Sequence, residues 1–297
     1  MNNPVRRVAD RFAKHLAREV VRLQAAQPPS EPAAARAWQA ALHQALHDHG
    51  EKYLPLATLA ARHGYAAEAL SAAELRVFSQ NGEDGALAAI FAHIGVEGRV
   101  FVEFGAEDGV ECNTRFLAEV LGWSGVYFEA DPDYHQSLAT RLANRPDIQT
   151  LHAAVTPENI TALFAAAAVP RSFDLLSIDV DGQDYWVWKA LRGYEPRVVV
   201  IEYNAGLPAT ARLVEPRGRA KWDETDYFGA SLGALIALAT ELGYQLVHTE
   251  LAGVNAFFVR NDLASDLPWV PLRRGPNYGL LGLRHAPHPG GGDYVEV

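Results

Sequence analysis

Residues 100–109, VFVEFGAEDG, form an apolar run that ends in an acid and continues directly into a glycine-containing turn. The β-branched and aromatic residues of the first half predict a buried strand. Gly105 and Gly109 follow, and Gly105 allows a tight turn with close approach of a ligand to the backbone. Asn113 and Thr114 then open a helical pattern, as capping residues do. Strand, glycine turn and helix is the order in which a doubly wound α/β sheet builds its nucleotide crevice.

The turn after this strand differs from a dinucleotide-binding turn. A dinucleotide site has three glycines, as GxGxxG, against a pyrophosphate, whereas this turn has two glycines together with Glu107 and Asp108. Carboxylates repel a phosphate and attract a cationic or amine-bearing ligand. S-adenosylmethionine (SAM) carries a sulfonium and an ammonium and no phosphate, so it fits such a turn. An acidic turn without a ligand is the alternative.

Composition and charge restrict the class of protein. The 297 residues are 49% hydrophobic, which predicts a globular core, and the net charge of -10 argues against a non-specific nucleic-acid binder. The single cysteine, Cys112, excludes an internal disulfide framework and a CxxC metal site. Because no early apolar run is long enough for a signal peptide or a membrane span, we expect a cytoplasmic setting.

The sequence divides into three parts. Residues 1–76 predict a helical N-terminal appendage, residues 77–264 an α/β domain, and residues 265–297 an irregular tail rich in Pro, Gly and Arg. The first helix, residues 1–27, has a basic stripe beside an apolar one. Such a helix can lie on a membrane surface or dock on an acidic partner. We favour a solvated charged face on a helix that packs against the body or a second copy, which makes the appendage a candidate homo-oligomer contact.

The second strand ends in an acid. In GVYFEADPD, residues 125–133, Glu129 closes the apolar run. An acid at this place, about twenty residues after the glycine turn, hydrogen-bonds ribose hydroxyls in nucleotide-binding α/β folds. Asp131 precedes Pro132, which predicts that Asp131 caps the next helix.

The fourth and fifth strands also end in acids. FDLLSIDVDGQDYW, residues 173–186, places Asp179 at the strand end, and Asp181 follows. RVVVIEYN, residues 197–204, ends in Glu202. Because the carboxyl ends of neighbouring parallel strands meet at one edge, these acids should lie near Glu103 of the first strand. Clustered carboxylates are costly to bury, and a bound cation or polar ligand would offset that cost.

A long polar insertion follows the fifth strand. Residues 205–229 are long for a loop in a compact domain, and such loops are usually functional or disordered. A flexible surface loop is one interpretation. The other is that the insertion holds an anionic or sugar-like acceptor through Arg217, Arg219, Lys221, Trp222 and Tyr227.

The motifs SQNGED, FVEFGAEDG, CNT, GWSGVYFEADP, SIDVDGQDYW and GVNAFFVR together resemble the FkbM-type family of SAM-dependent methyltransferases. The resemblance covers about residues 77–262. It implies a Rossmann-like seven-stranded sheet with an antiparallel terminal hairpin. It also implies methyl transfer from SAM to an oxygen, often a hydroxyl of a sugar, glycan or natural product.

The resemblance assigns the residues expected to bind the donor. Its methionine end would lie on Glu103, Gly105 and Asp108, its ribose on Glu129, and its carboxylate near Gln80 and Asn81. An acceptor hydroxyl needs help to lose its proton. We expect Asp179 to be the base, with Asp181 second.

A divalent ion, Mg²⁺ or another, is the alternative to a base. Asp179, Glu202 and Asn204 resemble the ligand arrangement of catechol-type O-methyltransferases, and oxygen ligands suit Mg²⁺. Tyr203 departs from that arrangement because it lies between the last two ligands. Two rival functions remain: a non-catalytic SAM-fold accessory or scaffold protein, and a nicotinamide-dependent oxidoreductase. The retained acids argue against the first, and the missing third glycine argues against the second.

Overall fold

A computed structural model of the protein describes residues 37, 38, 40, 41, 44, 69–219, 222–265, 267 and 285–297. The predicted basic helix of residues 1–27 lies outside this set, as do most of the predicted appendage and Lys221. Among the described helices, none is both long and apolar enough to cross a membrane.

Strands and helices alternate through most of the described chain. A 3-10 helix at Ala69–Ala73 comes first. The strands are β1 (Val100–Phe104), β2 (Ser124–Glu129), β3 (Ile148–His152), β4 (Ser172–Ile178), β5 (Glu195–Glu202), β6 (Leu213–Val214), β7 (Tyr244–Thr249), β8 (Asn255–Arg260) and β9 (Val295–Glu296). The helices are α1 (Glu83–Ile94), α2 (Arg115–Glu119), α3 (Pro132–Arg141), α4 (Ile160–Ala166), α5 (Asp184–Ala190), α6 (Leu232–Leu242) and α7 (Asn261–Ala264).

Seven strands form one sheet, in the order β3-β2-β1-β4-β5-β8-β7. The first five strands in this order are parallel to one another, and β8 pairs antiparallel with both β5 and β7. The chain therefore builds outward from β1 to β3, returns to β4 and builds outward in the other direction. This confirms the predicted α/β class, the seven-stranded Rossmann-like sheet and the reversed terminal hairpin. The switch point lies between β1 and β4.

The two faces of the sheet are covered by helices, which explains why β1 is apolar at nearly every position. Phe104 faces one side and packs against Phe164 of α4, with 5.9 Å between ring centroids. Phe101 faces the other side and belongs to the same buried cluster as Phe91 of α1. Because successive side chains alternate between faces, one strand anchors both halves of the core.

The residues just before the predicted domain boundary pack into the domain. Leu70 is buried in the same cluster as Phe91. Trp38 stacks on Phe91 with 5.9 Å between ring centroids. Glu74 is buried and accepts a hydrogen bond from the Leu251 N–H. These described parts of the appendage therefore contribute to the core beneath the sheet.

The described residues 285–297 of the predicted irregular tail include a short strand. Val295–Glu296 forms β9, which pairs antiparallel with β6 of the insertion. The Val297 N–H donates to the Arg212 carbonyl at 3.0 Å, and the Asp226 N–H donates to the Ala286 carbonyl at 2.9 Å. The composition of the tail, rich in glycine and proline, does not predict this strand. Its pairing partner, β6, lies about eighty residues away in the sequence, so no local pattern indicates the pairing.

Candidate active site

The switch point between β1 and β4 is where an open α/β sheet forms a crevice at its carboxyl edge. Glu103, near the end of β1, lies in register with Ser177 of β4. The turn after β1 and the turn after β4 therefore face each other across this crevice. The predicted donor and base residues fall on these two turns and on their neighbours.

Gly105 brings the two turns into contact. Its φ is +66°, and a Cβ added there would lie 2.1 Å from the carbonyl oxygen of Asp179. Only a residue without a side chain fits that approach. The backbone of the turn after β4 thus explains why position 105 is a glycine.

Two non-glycine residues on these turns have left-handed backbone. Glu107 has φ +48° and Asp181 has φ +53°. Such conformations are uncommon for residues with side chains, and they cluster at functional sites because surrounding contacts must hold them. Burial raises the pKa of Glu107, and repulsion from Asp108, Glu129 and Asp181 raises it further. The turns thus concentrate negative charge at the crevice.

Glu103 has a different role from the predicted donor contact. Its Oε1 accepts the Asn113 N–H at 2.9 Å, and its Oε2 accepts the Thr114 N–H at 3.2 Å together with the Thr114 hydroxyl. Burial raises its pKa to about 7, against the lowering effect of these hydrogen bonds. Both oxygens are therefore used to fold the segment after the glycine turn over β1. Glu103 shapes the crevice, and direct contact with a donor stays a prediction.

Glu129 joins the turns after β1 and β2. Its Oε2 accepts the Glu107 N–H at 2.7 Å, and its Oε1 accepts the Asp131 N–H at 2.7 Å. Each carboxylate oxygen has a second lone pair, so ribose hydroxyls can still donate to it. Asp131 caps α3 as predicted, because its side chain accepts the N–H groups of Asp133 and Tyr134.

The remaining predicted donor residues lie on two turns. The Val110 N–H donates to Asp108 Oδ1 at 2.9 Å, which fixes the turn after β1. Gln80 is exposed at the start of SQNGED. Asn81 is fully buried, and its Oδ1 has no hydrogen-bond partner among the described residues. Its N–H donates to Glu83, so the backbone there is fixed while the side-chain oxygen keeps an unused acceptor.

Asp179 and Glu202 stand side by side at the crevice. Ile178 of β4 pairs with Ile201 of β5, so the acids that follow are neighbours. Burial raises the pKa of Asp179 well above its usual value, and the charges of Asp184 and Asp181 raise it further. Burial also raises the pKa of Glu202, with the charge of Asp179 next. An ionised pair is unfavourable here, so the site stabilises either a proton or a nearby cation.

Asp184 fixes the turn that carries the predicted bases. It is fully buried, and its carboxylate accepts the Val180 N–H at 2.9 Å and the Gly182 N–H at 3.0 Å. Burial raises its pKa to about 6 despite these hydrogen bonds. These two hydrogen bonds, from the residues on either side of Asp181, hold Asp181 in its left-handed conformation.

The predicted metal triad is not assembled, because Asn204 is used elsewhere. Its amide nitrogen donates to the carbonyls of Asp226 and Phe228 at 2.9 and 3.0 Å, and its Oδ1 accepts the Gly206 N–H at 2.9 Å. Among the described residues, no group of three His, Cys, Asp or Glu side chains could hold a metal ion. Asn204 instead anchors the insertion, and the donor set that remains, Asp179 with Glu202, lacks its third ligand.

The insertion lies against the turn after β4, which the sequence did not reveal. A Cβ added at Gly182 would lie 2.2 Å from Glu215 Oε2. Glu215 is buried, and its Oε1 lies 3.3 Å from Arg219 Nη1. Arg219 also pairs with Asp223 at 3.0 Å, and Arg217 pairs with Glu158. Arg219 therefore joins parts of the insertion, whereas Arg217 ties the insertion to the loop after β3. Their use in binding an acceptor stays a prediction.

His152 is the last residue of β3. It stacks on His135 with 5.5 Å between ring centroids, and its Nε2 lies 3.0 Å from the Ala130 carbonyl. It is paired in register with Glu129 of β2, and β3 lies two strands beyond β1 on the side away from β4. This placement separates His152 from the switch point.

No protein-family model matches this chain, and no curated protein matches it. The chain is similar to the N-terminal domain of EvdMO1 crystallised with S-adenosylhomocysteine (SAH), at 16% identity over 61% of this chain and 80% of that chain, TM-score 0.40.

A second similarity is to the Aeropyrum pernix fibrillarin with natively bound SAM, at 16% identity over 56% of this chain and 67% of that one, TM-score 0.37. A third is to a SAM-dependent methyltransferase from Aquifex aeolicus, at 10% identity over 70% and 100% of the chains, TM-score 0.35. At these identities and TM-scores, the similarities carry no argument about ligand, activity or substrate. The fold assignment rests on the strand order and register of this chain, and membership of the FkbM-type family stays a prediction.

Proposed function

We propose that this protein is a SAM-dependent O-methyltransferase that acts on a hydroxyl of a sugar, glycan or natural product. One observation carries the proposal. The Gly105 turn closes on the Asp179 backbone at the switch point of the sheet, and Glu129 ties this turn to the next strand. A nucleoside-bearing donor fits such a crevice.

The charges on both turns favour a cationic donor. Glu107, Asp181 and the Asp179–Glu202 pair repel one another across the crevice. A sulfonium and an ammonium relieve that repulsion, whereas a pyrophosphate increases it. We assign the ribose hydroxyls to Glu129. The methionine end of the donor falls to Gly105 and Asp108, and its carboxylate to Gln80 and Asn81.

Methyl transfer then needs an aligned oxygen and a place for its proton. The acceptor oxygen attacks the methyl carbon in line with the sulfur, so an O–C bond forms while the S–C bond breaks. The hydroxyl proton passes to the Asp179 carboxylate, and SAH leaves with a neutral sulfur. The positive donor favours the ionised form of Asp179, which offsets the effect of burial. Asp181 is the second candidate for this role.

A divalent ion is not part of the proposed reaction. The residues present do not fit the predicted Mg²⁺ triad, because hydrogen bonds to the backbone of Gly206, Asp226 and Phe228 orient the Asn204 amide toward the insertion. Activity that is unchanged by EDTA is therefore the expected result, measured as SAH released from SAM. Loss of activity on EDTA and its return with Mg²⁺ would overturn this assignment.

Calorimetric titration with SAM, SAH and NAD tests the central claim. We expect SAM and SAH to bind and NAD to show no heat of binding. Glu129→Ala should weaken SAM binding by roughly tenfold or more, since it removes the ribose acceptor. Glu241→Ala, which removes an exposed carboxylate paired with Arg192, is the matched control. Absence of SAM binding at millimolar concentration would overturn the proposal.

A further inference from the structure

Gln183 pins the insertion to the turn after β4. Its Nε2 donates to the Pro216 carbonyl at 3.2 Å, and its Oε1 accepts the Gly218 N–H at 2.8 Å. Both halves of one side-chain amide therefore bind one short piece of backbone, residues 215–218. A side-chain amide can do this because its nitrogen donates and its oxygen accepts from one planar group.

Two further contacts hold the same piece of backbone. The Trp186 indole N–H donates to the Glu215 carbonyl at 2.8 Å. Gly182, with φ +112°, leaves no room for a side chain between its backbone and the Glu215 carboxylate. The insertion is therefore seated on the first turn of α5 and on the turn before it, rather than hanging over the site.

The outer side of this segment is also fixed. Glu215 Oε2 accepts the Gly229 N–H at 3.0 Å. The Arg219 guanidinium lies 4.0 Å from the centroid of the Tyr227 ring, and its Nη1 donates to the Tyr227 carbonyl at 2.8 Å. Glu215 is consequently held buried between the turn after β4 and the far arm of the insertion. Burial and nearby acids raise the pKa of Glu202 at the crevice, and the charge of Glu215 adds to this effect.

The position of this segment matches the side from which an acceptor must come. Residues that we assign to the donor lie on the turns after β1 and β2 and on SQNGED. In-line transfer requires the acceptor oxygen to approach opposite the sulfur and beside the base. Residues 215–218 lie on the β4 side of the crevice, next to the turn that carries Asp179 and Asp181.

We propose that residues 215–218 form the acceptor-side wall of the crevice, and that Gln183 is the positioning residue that holds this wall against the turn bearing Asp179 and Asp181. The inference rests on the proposed methyl transfer and commits to a neutral polyhydroxyl acceptor. Carboxylates and backbone carbonyls accept hydrogen bonds from hydroxyl groups. A carboxylate or phosphate on the acceptor would be repelled by Asp179 and Asp181, and the nearby cations of Arg217 and Arg219 are already paired with carboxylates of the protein.

Gln183→Ala and Gln183→Glu test the positioning role in the full-length protein. Ala removes both hydrogen bonds, whereas Glu keeps an acceptor for Gly218 and loses the donor to Pro216. Gln245→Ala is the matched control, because Gln245 also donates to a backbone carbonyl, that of Ala264, at the opposite edge of the sheet. The readouts are amide hydrogen exchange in residues 215–218, SAM affinity by calorimetry, and transfer to a panel of neutral methyl glycosides followed as SAH release.

The expected result distinguishes a role in binding the acceptor from a role in binding the donor. Gln183→Ala should speed exchange at Gly218 and raise the KM for the glycoside by roughly tenfold or more, since small misplacements of a reacting group are costly. SAM affinity should change less than about twofold, a difference well under 1.4 kcal/mol. Gln183→Glu should give a smaller rise in KM, and Gln245→Ala none.

Other outcomes overturn the inference. Faster exchange with unchanged KM and kcat would show that the segment does not contact the acceptor. An equal loss of SAM affinity would show a general structural role. A wild-type protein that binds SAM but methylates no glycoside would overturn the acceptor class while leaving the donor assignment intact. A wild-type protein that binds no SAM would instead overturn the proposed function itself.

Discussion

The two sides of the crevice are built in different ways. The donor side, residues 100–131, is a local structure in which Glu103, Asp108 and Glu129 each accept backbone N–H groups from nearby turns. The acceptor side joins segments far apart in sequence: the turn after β4, the insertion and the C-terminal tail. There the acids Asp179 and Glu202 face each other's charge instead. A carboxylate held by backbone amides positions a turn, whereas one whose pKa is raised by burial and then by neighbouring charges is suited to chemistry.

Asp179→Asn, on the acceptor side, should have the largest effect on the rate of methyl transfer. Removing a positioned base lowers rates by roughly 10²–10⁴-fold, so turnover should fall by that amount with SAM affinity retained. Because burial raises the pKa of Asp179, the wild-type rate should increase as the pH rises through that pKa, and the variant should lose this increase. The measurement is SAH release against pH. Asp262→Asn, an exposed acid paired with Arg260, serves as control, and an unaffected Asp179 variant would move the base elsewhere.

Glu103→Gln should change how stability depends on pH. The pKa of Glu103 is raised in the folded state from 4.5 to about 7. For a raised carboxyl pKa, the contribution to stability is complete below the unfolded value and is lost as pH rises through the folded value. Between pH 4.5 and 7 the wild type should therefore lose about 3 kcal/mol relative to the variant.

Urea unfolding at several pH values measures this difference in the free energy of unfolding. The Gln variant keeps one oxygen acceptor for the N–H groups of Asn113 or Thr114, so it should remain folded. Parallel pH curves for the two proteins would contradict the assignment of Glu103 as the group that titrates.

Comparing Gly105→Ala with Gly122→Ala should separate the cost of a steric clash from the cost of a left-handed backbone in the free energy of unfolding. Gly105 and Gly122 have nearly the same φ, +66° and +67°, but only Gly105 has a neighbour, the Asp179 carbonyl, where a Cβ would lie. Gly122→Ala should cost about 1 kcal/mol in free energy of unfolding from its backbone conformation alone. Gly105→Ala should cost about 2 kcal/mol or more, because the two turns must also move apart.

Chemical denaturation of both glycine variants gives the comparison, and SAM calorimetry shows whether the gap opens the donor site. Equal losses for the two variants would mean that the turns adjust without cost, and that contact between them does not organise the crevice.

The sequence predicts the donor side because its contacts are local. The strands that end near Glu103, Glu129, Asp179 and Glu202 and the Asp131 cap follow from apolar patterning and capping chemistry, and the antiparallel terminal hairpin follows from the family resemblance. The acceptor side escapes such reasoning, since no spacing rule indicates that β9 pairs with β6 or that Gln183 binds the insertion. Asn204 shows the limit most clearly: its amide at a strand end is typical of a metal ligand, yet distant carbonyls already occupy it. Which donors reach a side chain depends on tertiary contacts.

Tyr294→Phe should have the smallest effect and tests whether the tail supports the acceptor side. The Tyr294 hydroxyl accepts the Asn204 amide at 3.1 Å and the Phe228 N–H at 3.2 Å, which ties the tail to the end of β5 and to the insertion. Removing one hydroxyl that serves buried groups should cost about 1 kcal/mol in the free energy of unfolding. Tyr134→Phe removes a hydroxyl from an exposed ring and should cost nothing measurable.

Hydrogen exchange in residues 226–229 should also increase in the Tyr294 variant, with SAM affinity unchanged. If exchange there stays at the wild-type rate while stability falls, the tail stabilises the fold without ordering the acceptor side. The acceptor side would then consist of the turn after β4 and the insertion alone.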